Sequence, residues 1–241
     1  MNARLLVVRS GERSFPVERA TGLEVVERRS HSIETLRPDP VGGSFDLAIF
    51  TSRPAADRFL ARDDLLSTLP GRVVAVGPAT AERFRSGLSV EVEEGGGSVG
   101  SLLRKLPPDL SKTRVLLPRG EDADPQLSSE LARRGARVVS LVLYRKIPLP
   151  YDAALDSAIT APPSIVAFCT TSPAAARWLL DGAGQAARAR LTRTIAIALG
   201  DATSNALSSL GVSRVEIARP PTFETVARIA SELGGRAPAG R

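Results

Sequence analysis

Short uninterrupted apolar runs punctuate the chain: Leu47-Ala48-Ile49-Phe50, Val73-Val74-Ala75-Val76, Val115-Leu116-Leu117, Ile165-Val166-Ala167-Phe168 and Ile195-Ala196-Ile197-Ala198. Runs that do not alternate with polar residues suit strands covered on both faces, as in a doubly wound parallel sheet. Between them the apolar spacing turns helical. Val99, Leu102, Leu103 and Leu106 share one face of a helix over Ser98–Leu106, and Val226, Ile229 and Leu233 share one over Glu224–Leu233. The pattern predicts an α/β protein with two such sheets.

The pattern also repeats. Phe50-Thr51-Ser52-Arg53-Pro54-Ala55-Ala56 is echoed by Cys169-Thr170-Thr171-Ser172-Pro173-Ala174-Ala175, and Ala75-Val76-Gly77-Pro78-Ala79-Thr80-Ala81 by Ala198-Leu199-Gly200-Asp201-Ala202-Thr203-Ser204, in the same order and at nearly the same offset. After each pair comes a glycine placed to close a helix, Gly87 or Gly211, then a β-like run, Leu88–Val92 or Val212–Ile217. Two copies of a βαβα unit are the economical reading. The runs Leu5–Val8 and Leu23–Glu27 precede the first copy and are expected to join the C-terminal half, so that two antiparallel connectors cross between domains. Pro38-Asp39-Pro40 to Gly43 and Arg145-Lys146-Ile147-Pro148-Leu149-Pro150 read as those stiff connectors. The domains expected are 1–36 with 149–234, and 37–145, followed by a disordered tail over 235–241.

Composition narrows the chemistry. An apolar share of 43% is that of an ordinary globular protein with its own cores. One cysteine, Cys169, and one histidine, His31, exclude a disulfide framework and a zinc site built on Cys/His clusters. The apolar stretch after Met1 is too short for a signal peptide, and no run reaches a membrane span, so a cytoplasmic protein without membrane contact is expected. A net charge of +6 draws anions. Because the arginines are scattered and aromatics make up only 4%, a polyanionic small molecule fits better than nucleic acid.

In a parallel α/β sheet, ligands bind beyond the carboxyl ends of the strands, where helix N-termini offer unpaired N–H groups and a partial positive charge. Thr51-Ser52, Gly77 to Thr80, Thr171-Ser172 and Gly200 to Thr203 all fall at such turns. Each could be only a helix cap; their paired recurrence argues for a carboxylate cradle in one cleft. Gly77 and Gly200 suit a tight turn or close backbone approach. Gly95-Gly96-Gly97-Ser98 lacks the ending of a phosphate loop and reads as a flexible connection. His31, among Arg28, Arg29 and Ser30, reads as a surface or linker residue. Trp178, Phe59 and Cys169 read as packing. Tyr144 ends a strand at the entry to the connector, where its hydroxyl either faces the cleft or anchors the hinge.

These motifs resemble a family. Phe50-Thr51-Ser52, Ala75-Val76-Gly77-Pro78-Ala79-Thr80-Ala81, Leu117-Pro118-Arg119-Gly120-Glu121, Gly135-Ala136 and Val142-Leu143-Tyr144-Arg145 are similar in order and spacing to uroporphyrinogen-III synthases. So are the Thr-Ser-Pro and Leu-Gly-Asp-Ala-Thr motifs of the second half. The resemblance spans about residues 4 to 233. It implies two α/β domains joined by a two-stranded ladder, the N-terminal strands belonging to the C-terminal domain. It also implies a lyase, with neither metal nor organic cofactor, that takes hydroxymethylbilane, inverts ring D through a spiro intermediate and closes the macrocycle with loss of water. Tyr144 would supply the acid for the departing hydroxide; a phenol titrates near ~10 in water and so carries its proton at neutral pH. Thr51, Ser52, Gly77, Thr80, Arg119, Ser172 and Thr203 would hold substrate carboxylates. The partner expected is a linear tetrapyrrole handed over transiently by hydroxymethylbilane synthase to a monomer. Three departures stand out, one of them Arg28-Arg29-Ser30 in place of a more apolar segment. Asp201 replaces a usual proline, where its carboxylate would offset the helix-start field, and Gly11 to Gly22 is short for the usual first helix. A two-domain sensor closing on a polycarboxylate is the competing reading.

Overall fold

The computed structural model describes residues 3–10, 23–85 and 88–235. Gly87, the short stretch 11–22 and the tail over 236–241 lie outside them. The chain opens with β1 (Ala3–Ser10) and β2 (Leu23–Thr35). It continues through β3 (Leu47–Phe50), α1 (Arg53–Leu60), α2 (Asp63–Leu66), β4 (Arg72–Ala75), α3 (Pro78–Arg85), β5 (Glu91–Glu94), α4 (Val99–Lys105), β6 (Arg114–Gly120), α5 (Gln126–Arg133) and β7 (Arg137–Pro148). It ends with α6 (Ala154–Thr160), β8 (Ile165–Thr170), α7 (Pro173–Gly182), α8 (Gln185–Leu191), β9 (Ile195–Ala198), α9 (Asp201–Ser209), β10 (Val215–Ile217) and α10 (Phe223–Gly235).

The residues gather into two compact units: a central unit, Ile33–Lys146, and a terminal unit formed by the chain up to Ser32 and from Ile147 onward. In the central unit the strands stand in the order β7-β6-β3-β4-β5, all parallel. The chain builds outward from β3 through β4 and β5, then returns to the other side of β3 for β6 and β7. This is the doubly wound arrangement, with its switch point between β3 and β6.

The terminal unit has the order β10-β9-β8-β1-β2, also parallel. Here β8 is the central strand and β9 and β10 lead outward. The two positions on its other side are filled by β1 and β2, from the opposite end of the sequence. The leading strands thus join the C-terminal half, and the terminal unit is a circular permutation of the central one.

Burial on both faces explains the unbroken apolar runs. In the central unit Ala48 and Phe50 pack with Ala55, Phe59 and Phe84 on one side of the sheet, while Leu47 and Ile49 pack with Leu102 and Leu131 on the other. The terminal unit divides β1 in the same way, Leu6 and Val8 against Leu179 and Leu155, Leu5 and Val7 against Val226 and Ala230. At about 25 cal/mol per Å² of apolar surface, burying these side chains is the main term holding each unit together.

The second expected connector is more regular than its prolines suggest, whereas Pro38 to Gly43 lies beyond the end of β2 and is in neither helix nor strand. β7 runs on through Arg145, Lys146 and Ile147 to Pro148 instead of stopping at Leu143. In the central unit Leu36 N–H donates to Leu143 O at 2.9 Å, and in the terminal unit Leu149 N–H donates to Ser30 O at 2.9 Å. One index rises as the other falls, so the two strands run antiparallel. Gly211 closes α9 with φ +91°, its successor Val212 N–H reaching back to Leu207 O at 3.1 Å, which is the expected role for a glycine there.

Candidate functional site

At the carboxyl end of β3, Thr51 and Ser52 turn the chain into α1. Ser52 is extended (φ −147°, ψ 143°) and its Oγ accepts from Ala55 N–H at 3.4 Å, while Pro54 pre-sets the first turn. The same Oγ lies 3.2 Å from the Tyr144 hydroxyl. Tyr144 is on β7, two strands away, and only 5% exposed.

A register slip makes that contact. β6 and β7 pair residue for residue until Arg119 and then shift by one, so that Gly120 stands opposite Tyr144. A Cβ on Gly120 would lie 2.6 Å from Tyr144 Cζ and 2.9 Å from its hydroxyl, so only glycine leaves room for the ring. The Tyr144 carbonyl accepts from Glu121 N–H at 2.9 Å. Arg58 stands over the ring face, its guanidinium carbon 5.6 Å from the centroid. Arg58 itself is held by Nε to Thr35 Oγ1 at 3.1 Å and Nη1 to Pro54 O at 3.2 Å. Backbone, ring and hydroxyl of Tyr144 are each fixed.

One strand further along, Gly77 precedes α3. It has an ordinary negative or extended backbone, and the nearest atom to an added Cβ is Gly97 Cα at 3.8 Å; Gly200 has nothing within 4 Å. Neither glycine is required by a tight turn, which corrects that expectation, and the space above both is open. Thr80 N–H donates to Gly77 O at 3.1 Å and Thr203 N–H to Gly200 O at 3.1 Å, so the threonine amides are already satisfied. The two side chains, each 5% exposed, have no hydrogen-bond partner among the described residues. The free groups here are therefore the hydroxyls, along with the amides of the residues just before.

The Arg119 guanidinium turns back on its own loop, Nε to Gly120 O at 3.3 Å and Nη2 to Ala123 O. Both bonds fix the segment after β6. Asp201, at the start of α9, forms an exposed ion pair with Arg219 at 3.2 Å, so its charge at that helix start is partly answered.

In the terminal unit Ser172 caps α7, its Oγ accepting from Ala175 N–H at 3.1 Å, and lies 2.8 Å from Ser10 Oγ. His31 departs from the surface or linker role expected of it. It sits in β2, is 7% exposed, and its Nδ1 is 2.9 Å from Ser30 Oγ. Trp178 is half-buried against the core and donates from Nε1 to Leu149 O at 2.6 Å. Phe59 and Cys169 are fully buried, as packing residues should be. The structure thus brings Ser52 to Tyr144 directly, adds Gly120 and Arg58 around them, and gives Ser172 the neighbour Ser10, which in turn contacts Ser30. Motif reading could not find these, because register and strand order place them.

No helix among the described residues is long and apolar enough to cross a membrane. No curated protein sequence matches the chain. Among solved structures, the chain is similar to a mutant uroporphyrinogen III synthase from Thermus thermophilus, with 22% identity, 97% of this chain and 100% of that one covered, and a TM-score of 0.65. It is also similar to the uroporphyrinogen-III synthetase of Helicobacter pylori, at 18% identity over 97% and 100% of the two chains, with a TM-score of 0.64. These likenesses carry the fold. The family model described as Uroporphyrinogen-III synthase HemD matches residues 15–227, and the chain belongs to that family.

Proposed function

We propose that the chain is a cofactor-independent, cyclising hydro-lyase that converts hydroxymethylbilane to uroporphyrinogen III, with Tyr144 as the acid of the first step. The observation that carries the assignment of Tyr144 is its immobilised phenol at the switch point of the central sheet, 3.2 Å from the Ser52 cap. Loss of hydroxide from the hydroxymethyl carbon breaks a C–O bond, and the phenol proton leaves with it as water. The pyrrole nitrogen's electrons stabilise the azafulvene that remains. Ring D then attacks through its substituted carbon, and the spiro intermediate reopens and closes to the inverted ring.

Positioning is the larger part of the task, since the free substrate closes to the unrearranged type I isomer. Substrate carboxylates are held by the hydroxyls of Thr51, Ser52 and Thr80 and the open backbone above Gly77 in the central unit. Ser172 and Thr203 do the same in the terminal unit, where helix starts add their partial positive charge. The Arg119 side chain supports this by fixing its loop. The net charge of +6 favours capture of a polyanion.

The test is to supply freshly made hydroxymethylbilane and separate the product isomers. Type III product formed faster than spontaneous closure is expected. Type I alone, at the uncatalysed rate, overturns the reading.

A further inference from the structure

Arg58 lies on α1, six residues beyond the Ser52 cap. A helical side chain leans toward the N-terminus of its helix and so covers the turn before its own Cα. Arg58 accordingly turns back over the first turn of α1, where its Nη1 donates to Pro54 O at 3.2 Å. Its Nε donates to Thr35 Oγ1 at 3.1 Å. Thr35 ends β2, and the N–H of its successor Leu36 donates to the carbonyl of Leu143, the residue before Tyr144. One tether thus belongs to the helix that Ser52 caps and the other to the ladder that carries the tyrosine. Between them the guanidinium is set over the face of the phenol ring, 5.6 Å from its centroid.

Packing alone does not ask for a cation at this position. In the terminal unit α7 is capped by Ser172 as α1 is by Ser52, and the sixth residue on is Trp178. Trp178 packs against the core and donates through Nε1 to Leu149 O, a polar tether made without a charge. The fold accepts an uncharged side chain there; the cation stands in the unit that has the phenol.

A guanidinium over a neutral phenol is attracted only by the quadrupole of the ring. The first step changes that. When the C–O bond of the hydroxymethyl group breaks, its electron pair leaves with the oxygen, which takes the phenol proton and departs as water. The lone pair of the pyrrole nitrogen fills the vacancy at carbon, and the O–H electron pair stays on Tyr144 as a phenolate. The proton is restored when the pyrrole that closes the macrocycle sheds one in regaining its aromaticity. While the phenolate lasts, its charge spreads into the ring, and the guanidinium above it meets a full opposite charge instead of a quadrupole. An interaction that strengthens between ground state and transition state lowers the barrier without tightening substrate binding.

Resting on the function proposed above, we infer that Arg58 is a positioning residue of the first step, holding the Tyr144 ring in place and answering the negative charge that proton transfer leaves on it. It acts through the tyrosine, not by contact with the substrate.

Arg58→Met keeps an unbranched stem and removes the charge. With freshly made hydroxymethylbilane it is expected to lower kcat for type III product about ten-fold, with KM changed by no more than about three-fold. Arg58→Lys keeps the charge and should recover most of that loss. In a Tyr144→Phe background no phenolate forms, so adding Arg58→Met should change the remaining rate by no more than about two-fold. A merely structural role would cost the same factor in both backgrounds. Thr35→Val, at an exposed position, loosens the guanidinium while leaving Arg58 in place, and should lower kcat about three-fold. Wild-type kcat in Arg58→Met, or in Thr35→Val where that variant does not fold, overturns the inference. So do equal losses in the two backgrounds, or Arg58→Lys no better than Arg58→Met. Any of these results alongside type III product from the wild type removes only the role of Arg58, whereas a wild type that forms no type III product removes the proposed function and this inference together.

Discussion

At the scale of single residues, Tyr144 and Gly120 behave as one device. The phenol can reach Ser52 only because the residue opposite has no side chain. Tyr144→Phe is expected to lower kcat ten-fold or more while the Kd for product stays within two-fold, the signature of a group used in the chemical step. Gly120→Ala should do the same with the phenol still present, because its Cβ would stand 2.6 Å from Tyr144 Cζ and displace the ring. Overpacking at that point should also cost about 1–3 kcal/mol of stability in urea unfolding. Full activity in Gly120→Ala would mean that ring position does not matter. Tyr144 was legible in the sequence only through family likeness. Gly120 was visible within Leu-Pro-Arg-Gly-Glu, but its purpose was not, since a register slip is settled by pairing across strands.

At the scale of elements, the helix starts carry both stability and ligand affinity, and the two can be separated. Ser172→Ala removes the cap of α7 and should lower the unfolding free energy by about 1 kcal/mol. Ser172→Asp restores an oxygen to the cap, so stability should return; its added charge at the proposed carboxylate position should raise KM several-fold. If both variants lose stability alone and keep KM, Ser172 is only a cap. The starts of α1 and α7 were readable from sequence because a serine followed within two residues by proline is a local signal: the Oγ of Ser52 or Ser172 accepts from the backbone N–H three positions on. The extent of β7 was not, for the opposite reason. The residue just past its end is held to a strand more than a hundred positions earlier, Leu149 N–H donating to Ser30 O.

At the scale of the whole molecule, burial and net charge govern. Cys169 is fully buried in β8, and burial pushes its thiol up to about 12. Alkylation by iodoacetamide should therefore be slower by about a hundred-fold or more than in urea, and should track global opening. Ready labelling of the folded protein would show that the terminal unit opens locally. The positive field predicts that KM for the polyanionic substrate rises with ionic strength as salt screens it. An unchanged KM between low and high salt would confine recognition to short-range contacts.

The sequence by itself determined the parallel α/β class, the two copies and their helix caps, because these depend on hydrophobic periodicity and on neighbours a few residues away. Its composition also set the sign of the charge that an anionic ligand would meet. Only the tertiary structure decided the order and register of the strands on the second side of each sheet, and so that Gly120 faces Tyr144 and Ser10 faces His31. A linear comparison left the two leading strands over for the C-terminal half, but it could not give their order or their register, which depend on pairing between distant segments. Hydrogen bonding between distant strands closes that permutation, and no neighbour a few residues away could have signalled it.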